Sequence, residues 1–194
     1  MNKTALISVY EKAGIVSFAQ GLAELGWDLL ASGGTAKALS EAGLKVRDVA
    51  EVVGGEAILG HKVVTLSREI HAGLLADYEA DAEEMGQLGL AYIDLVCVDL
   101  YPLEEVQRNP QRTLASIRQK TDVGGPTMLH AAAKGGRLIV CDPVDRQDVL
   151  DWLKAGLPNE DKKRLAMAVK AETAAAHHID LSAQLLTEEL AGRV

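Results

Sequence analysis

Short apolar runs alternate with segments of helical period along most of this chain, and that rhythm leaves few architectures open. Residues 4–9, 27–31 and 45–49 read as strands, with helices over 15–25 and 36–42 between them. Gly26 and Gly43 stand where helix C-caps belong, so each helix stops in time for the chain to turn into the next strand. Farther on, 93–98 and 138–140 read as strands, with helices near 114–119 and over 127–134. This order predicts an α/β fold, an open parallel sheet flanked by helices. Beyond Asp142-Pro143 the pattern is helical. The alanine-rich, proline-free stretch 161–190 predicts one or two helices, clamped over the sheet or against a second subunit. The expectation is a single domain over 1–194, with an α/β core over 1–153 and a helical tail over 154–194.

Only 4 % of residues are aromatic, so the core must rest on Leu, Val, Ile and Ala, the composition of strands buried on both faces. A net charge of −8 argues against a nucleic-acid partner, which needs a basic stripe, so any anionic ligand must meet a local positive pocket. Cys97 and Cys141 each end an apolar run and read as buried thiols of a reducing compartment. No apolar stretch approaches a membrane span, and the expected location is the cytoplasm. His61, His71, His130, His177 and His178 show no metal-ligand spacing, so neither a metal nor another cofactor is expected. Residues 52–75, interrupted by Gly54, Gly55, Gly60 and Gly73, read as a long irregular excursion from the sheet, and 78–88 as an acidic helical patch.

Ligands of open α/β sheets sit at the carboxyl ends of strands, which directs attention to the segments leaving them. Ser8-Val-Tyr-Glu-Lys12 supplies a lysine. Ser32-Gly-Gly-Thr35 pairs glycine amides with two hydroxyls at a helix start, the makings of a phosphate cradle, although a plain turn with Thr35 as N-cap fits equally well. Asp99-Leu-Tyr-Pro102 puts the Tyr101 hydroxyl at the mouth of such a site, or simply packs an aromatic under a loop. The stretch from Asp122 through Gly124, Gly125 and Pro126 opens a helix that ends at Lys134, where a lysine ordinarily serves the helix dipole.

In this order the four segments resemble those of the IMP cyclohydrolase family, which shows Ser-Val-Ser-Asp-Lys, Ser-Thr-Gly-Gly-Thr, Asn-Leu-Tyr-Pro-Phe, and Ile-Asp-Ile-Gly-Gly-Pro followed by Arg-Ala-Ala-Ala-Lys. The resemblance spans roughly residues 4–153 and continues weakly through the tail. It implies the methylglyoxal-synthase-like fold and closure of formylated aminoimidazole-carboxamide ribotide (FAICAR) to IMP with loss of water. It also implies a homodimer, and a cyclohydrolase standing alone rather than fused to the transformylase that accompanies it in most organisms. Carried over residue by residue, it places the ribotide phosphate at Lys12, Ser32, Gly34 and Thr35. The base then lies near Tyr101, Asp122, Gly124, Gly125 and Lys134, with Thr65 among the binding residues. Lys134, Tyr101 and the Gly124 amides would stabilise the developing oxygen charge, and Asp122 would accept a proton.

The departures are as specific as the matches. Where the family has Arg-Val-Lys-Thr-Leu-His-Pro, this chain has Lys62-Val-Val-Thr-Leu-Ser-Arg68, so the lysine falls on Val64 and the histidine on Ser67. Lys62, two residues away on the same side of an extended segment, is the expected replacement cation. Tyr10, Asp99 and His130 stand for a serine, an asparagine and an arginine, and His71 retains a histidine of the excursion. Two rival expectations are a non-catalytic purine-nucleotide-binding module and a methylglyoxal synthase of the same fold.

Overall fold

The computed structural model describes residues 2–59 and 62–192. The first half runs β1 (Thr4–Ser8), α1 (Ile15–Glu24), β2 (Asp28–Ala31), α2 (Gly33–Glu41) and β3 (Val46–Asp48). Gly26 and Gly43 both take positive φ after their helices, as C-cap positions do. After the excursion come β4 (Leu95–Val98) and β5 (Leu138–Val140), and every pairing in the sheet is parallel, in the order β3-β2-β1-β4-β5. Ala5, Leu6, Ile7 and all of β4 are buried, as central strands covered on both faces must be. The chain winds outward from β1 to β3 and then returns to the other side of β1. The loops leaving β1 and β4 therefore diverge, and the crevice between them lies at the topological switch point.

The excursion is more regular than its glycines suggest. It holds α3 (Val49–Val52) and α4 (Arg68–Leu75), the latter within the stretch read as irregular. Ser67 caps α4 by accepting the Ile70 N–H at 3.2 Å, and Ile70 and Leu74, one turn apart, are fully buried. Gly73 permits packing instead of interrupting the helix: a Cβ there would lie 2.7 Å from the Ala91 carbonyl oxygen. The acidic patch contains α5 (Ala82–Gln87).

Between β4 and β5 lie α6 (Leu103–Arg108), α7 (Leu114–Lys120) and α8 (Gly124–Lys134). Sequence periodicity did not mark α6, a helix of only 6 residues whose Leu103 and Val106 form a small separate core with Ile117, Leu181 and Leu185. A 3₁₀ turn (Pro143–Asp145) leads into α9 (Arg146–Lys154), and the tail is one helix, α10 (Glu160–Ala191), of 32 residues. It packs against α8 and β5 and reaches α6 and α7. Cys97 and Cys141 are free, and burial pushes the Cys97 thiol up to about 12. Among the described residues no helix is long and apolar enough to cross a membrane.

Candidate functional site

The loop leaving β1 is shaped by a buried ion pair. Asp99, just past β4, accepts the backbone N–H groups of Tyr10 and Glu11, and its Oδ2 lies 3.0 Å from an Arg146 guanidinium nitrogen. Arg146 also donates to the Ala13 carbonyl at 2.6 Å and the Glu11 carbonyl at 3.1 Å. The two side chains are 10 % and 6 % exposed, so water screens the pair little. Burial raises the Asp99 carboxyl above its ordinary range, against the pull of the amides and the guanidinium. Residues 10–13 are thus clamped from both sides. Within them Lys12 turns its ammonium onto the carbonyls of Val9 and Tyr10. Burial lowers the Lys12 pKa, and the Arg146 charge adds to that effect while Asp99 opposes it.

The loop after β2 lies beside it. The Ser32 and Ser8 hydroxyls are 2.8 Å apart, and Gly33 and Gly34 open α2. Thr35 faces inward: its hydroxyl both donates to the Val9 carbonyl and accepts the Val9 N–H, each at 3.3 Å, and its own N–H goes to the Ser32 carbonyl. Buried at 2 % exposure, Thr35 ties the two loops together and leaves the Gly33 and Gly34 amides, the serine hydroxyls and Lys12 to face an anion.

From Gly33 a cleft of about 450 Å³ extends along Asp48, Glu51, Glu56, Ala57 and Val64. Val64 is half-buried and packs on the core, and Thr65 beyond it is buried against the start of α8. A Cβ on Gly124 would stand 3.1 Å from the Thr65 hydroxyl, and one on Gly125 would collide with Asp122 Oδ2 and stand 2.5 Å from Leu100. Only glycine fits at 125, because the Asp122 carboxylate folds back over the helix start and accepts the Gly125 N–H at 3.2 Å. Burial raises the Asp122 pKa, with the Gly125 amide and His178 acting in the opposite sense.

Tyr101, 45 % exposed, meets Tyr10 edge-on with centroids 5.3 Å apart, and Lys120 lies 5.3 Å and 5.9 Å from the centres of the Tyr10 and Tyr101 rings. The fold therefore gathers Lys12, Ser32, Gly34, Tyr101, Asp122, Gly124, Gly125 and Thr65 on loops at the carboxyl end of the sheet. It does not bring Lys134 to them. Lys134 closes α8 on the way into β5, at the amino end of the sheet, about 15 Å along the helix from Gly124 and beyond the reach of a lysine stem. Lys62 is exposed beside the bridge that joins Ile58 to Val63. His61 and Gly60 lie outside the described residues. His71 Nδ1 is 3.0 Å from the Ser67 carbonyl, and His130 pairs with Glu172 at 2.8 Å.

Sequence reasoning missed two contributors. Arg146 carries no local signal, being one more charge at a helix start. His178, in α10, is buried and accepts the Asp122 backbone N–H on Nε2 at 2.9 Å; burial lowers its pKa, which keeps that nitrogen unprotonated and able to accept. With the Thr121–Ser182 hydroxyl contact at 3.2 Å, it makes the tail helix a support for the Asp122 turn. The two adjacent histidines were seen in the sequence, but not which of them points inward.

The model of the MGS-like domain matches residues 14–127, which span the β1 loop, the cradle, the cleft and the start of α8. The chain belongs to the MGS-like domain family. This MGS-like chain is 42 % identical, over 98 % of its length, to the bifunctional purine biosynthesis protein PurH of Bacillus cytotoxicus. It is 41 % identical over the same share to PurH of Bacillus cereus, and it spans 38 % of the length of either relative. It also superposes on the crystal structure of ForH with a TM-score of 0.85 at 36 % identity, covering 97 % of this chain and 98 % of that one.

Proposed function

We propose that the chain is an IMP cyclohydrolase acting in purine biosynthesis, closing FAICAR to IMP and water. The observation that carries this reading is the continuity of one cleft from an anion cradle to a buried carboxylate. Its setting is a chain alike over nearly its whole length to purine biosynthesis proteins. The ribotide phosphate sits on the Gly33 and Gly34 amides, Ser8, Ser32 and Lys12, and its charge draws the Lys12 ammonium away from the Val9 carbonyl. Carboxylates of the cleft, Asp48 and Glu56 among them, keep the dianion at the cradle end and accept from ribose hydroxyls.

Ring closure joins the carboxamide nitrogen to the formyl carbon, moves protons from that nitrogen to the former formyl oxygen, and releases the oxygen as water. Both reacting groups belong to one molecule, so holding them in an attack geometry supplies much of the acceleration. Asp122 accepts the proton from nitrogen; its raised pKa makes it a stronger base than an exposed aspartate. The Tyr101 hydroxyl and the amides at the start of α8 stabilise the oxygen charge. The enzyme works as a cytoplasmic homodimer without a metal or other cofactor.

One observation favours a second reading, a ribotide-binding module without turnover. Val64, in the family's lysine position, packs on the core, and Lys134 stands away from the cleft, so neither family cation faces the base. Steady-state conversion of FAICAR, measured together with IMP titration, tests the proposal. Turnover that Lys62→Ala abolishes identifies Lys62 as the replacement cation. IMP binding without turnover, with activity gained in Val64→Lys, overturns the enzyme reading in favour of the module.

A further inference from the structure

The tail helix α10 carries two apolar faces. One, with Met167, Ala171, Ala175, His178, Leu181 and Leu185, is buried against its own protomer. The other lies on the opposite side and is bare: Leu165, Val169, Ile179, Leu186 and Leu190 are 41 to 68 % exposed. They are no scatter. Together with Glu172, Ala176 and Ala183 they recur at alternating intervals of four and three, the spacing of a coiled-coil seam, along about 38 Å of helix. A contiguous apolar stripe of that length facing water is the mark of a surface that is covered.

We infer that this stripe is a self-association surface on which a second copy of the chain lays its own α10 antiparallel, about a two-fold axis between His177 and His178. The order of residues along the stripe singles out this occupant. A two-fold at that point sets Leu165 against Leu190 of the partner subunit, Val169 against Leu186 of the partner subunit, and Ala176 against Ile179 of the partner subunit. Each large side chain at the ends meets another large one, and at the centre the small Ala176 makes room for the branched Ile179, so the stripe complements itself. The polar Glu172 falls opposite an alanine at position 183, and its carboxylate is already turned aside to His130 of its own chain.

Charge points the same way. The first part of α10 is net basic, with Lys162, Lys163, Arg164 and Lys170 against Glu160 and Asp161, whereas from Glu172 to Ala191 its charged residues are Glu172, Asp180, Glu188 and Glu189. Antiparallel helices set the basic part of one against the acidic part of the other; parallel ones would set like against like. The arrangement also bears on the site, because the helix whose outer face is covered is the one whose inner face holds His178 against the Asp122 amide.

Mass measurement by light scattering, on the whole chain at micromolar concentration, tests this. The wild type is expected at twice its 20.7 kDa chain mass. Ile179→Lys, which puts a charge at the centre of the seam, should run as a monomer with unchanged circular dichroism. Adding Ala176→Glu to that variant should restore the dimer, because in the antiparallel register each new lysine faces a new glutamate twice over. In a parallel pair the same substitutions set lysine on lysine and glutamate on glutamate. A monomeric wild type, its stripe bare or covered by some other protein, overturns the inference. So does a dimer that Ile179→Lys leaves intact, or a monomeric Ile179→Lys that Ala176→Glu does not re-associate. The readout is mass, so it stands or falls independently of cyclohydrolase turnover.

Discussion

Replacing Arg146 by methionine keeps much of its volume and removes its charge. The guanidinium now neutralises Asp99 in a setting where the two side chains are 6 % and 10 % exposed, and it also satisfies the Glu11 and Ala13 carbonyls. Breaking a buried pair from one side costs about 3–5 kcal/mol. The lower end applies here, because Glu11 and Ala13 are at the surface and water can take over their carbonyls. A loss of about 3 kcal/mol at pH 7 is therefore expected from urea unfolding. The loss should shrink on acidification. Burial already holds the Asp99 pKa above its unfolded value, and removing the cation raises it further, so the native state takes up a proton that the unfolded chain binds less readily. Stability gained by that protonation is present at low pH and lost as pH rises through the folded pKa. Asp99→Asn in the same background should recover about 2 kcal/mol at pH 7, since an amide oxygen still accepts from Tyr10 and Glu11 without a buried charge. IMP affinity should fall in the single variant and return in the double, following the order of the Lys12 loop. An Arg146→Met protein within about 1 kcal/mol of wild type, or a double variant less stable than the single, would refute the reasoning.

Three further predictions rest on the Asp122 turn. Since burial raises the Asp122 pKa and the base must be ionised, kcat/KM should fall with acid through a limb above the ordinary aspartate range, about 3.9, and Asp122→Asn should abolish turnover over the whole profile. His178→Ala leaves a part-buried N–H without an acceptor and should cost about 1–3 kcal/mol by thermal or urea unfolding. Because burial depresses the His178 pKa, the unfolded chain binds the proton more readily, so the stability it contributes should be lost as pH falls below about 6.5; a flat response between pH 7 and 5 would contradict this. Gly125→Ala drives a methyl into Asp122 Oδ2, and it should lower turnover at least tenfold while costing about 1–3 kcal/mol, measured by initial rates and unfolding of the same preparation.

The parallel sheet, the glycine-capped helices of its first half and the four segments that leave strands at one end were all legible in the order of residues. These are local matters: an apolar run, a helical period and a cap are each written within a few neighbouring residues, and parallel crossovers then place the strand exits together. Where the signal was short or mixed with glycine it misled, as in the helix Arg68–Leu75 that Gly73 seemed to interrupt and the brief helix Leu103–Arg108. What shapes the site emerged only when distant segments packed. Arg146 meets Asp99 across 47 residues and His178 meets the Asp122 amide across 56, and nothing in the local sequence marks either partner. Thr35 reads as a phosphate ligand, yet it spends its hydroxyl on Val9; Lys134 reads as a neighbour of Asp122, yet a rigid helix holds it at the opposite end of the sheet. Residue type fixes what a side chain can do, but direction, reach and burial, which settle what it does, are properties of the packed chain.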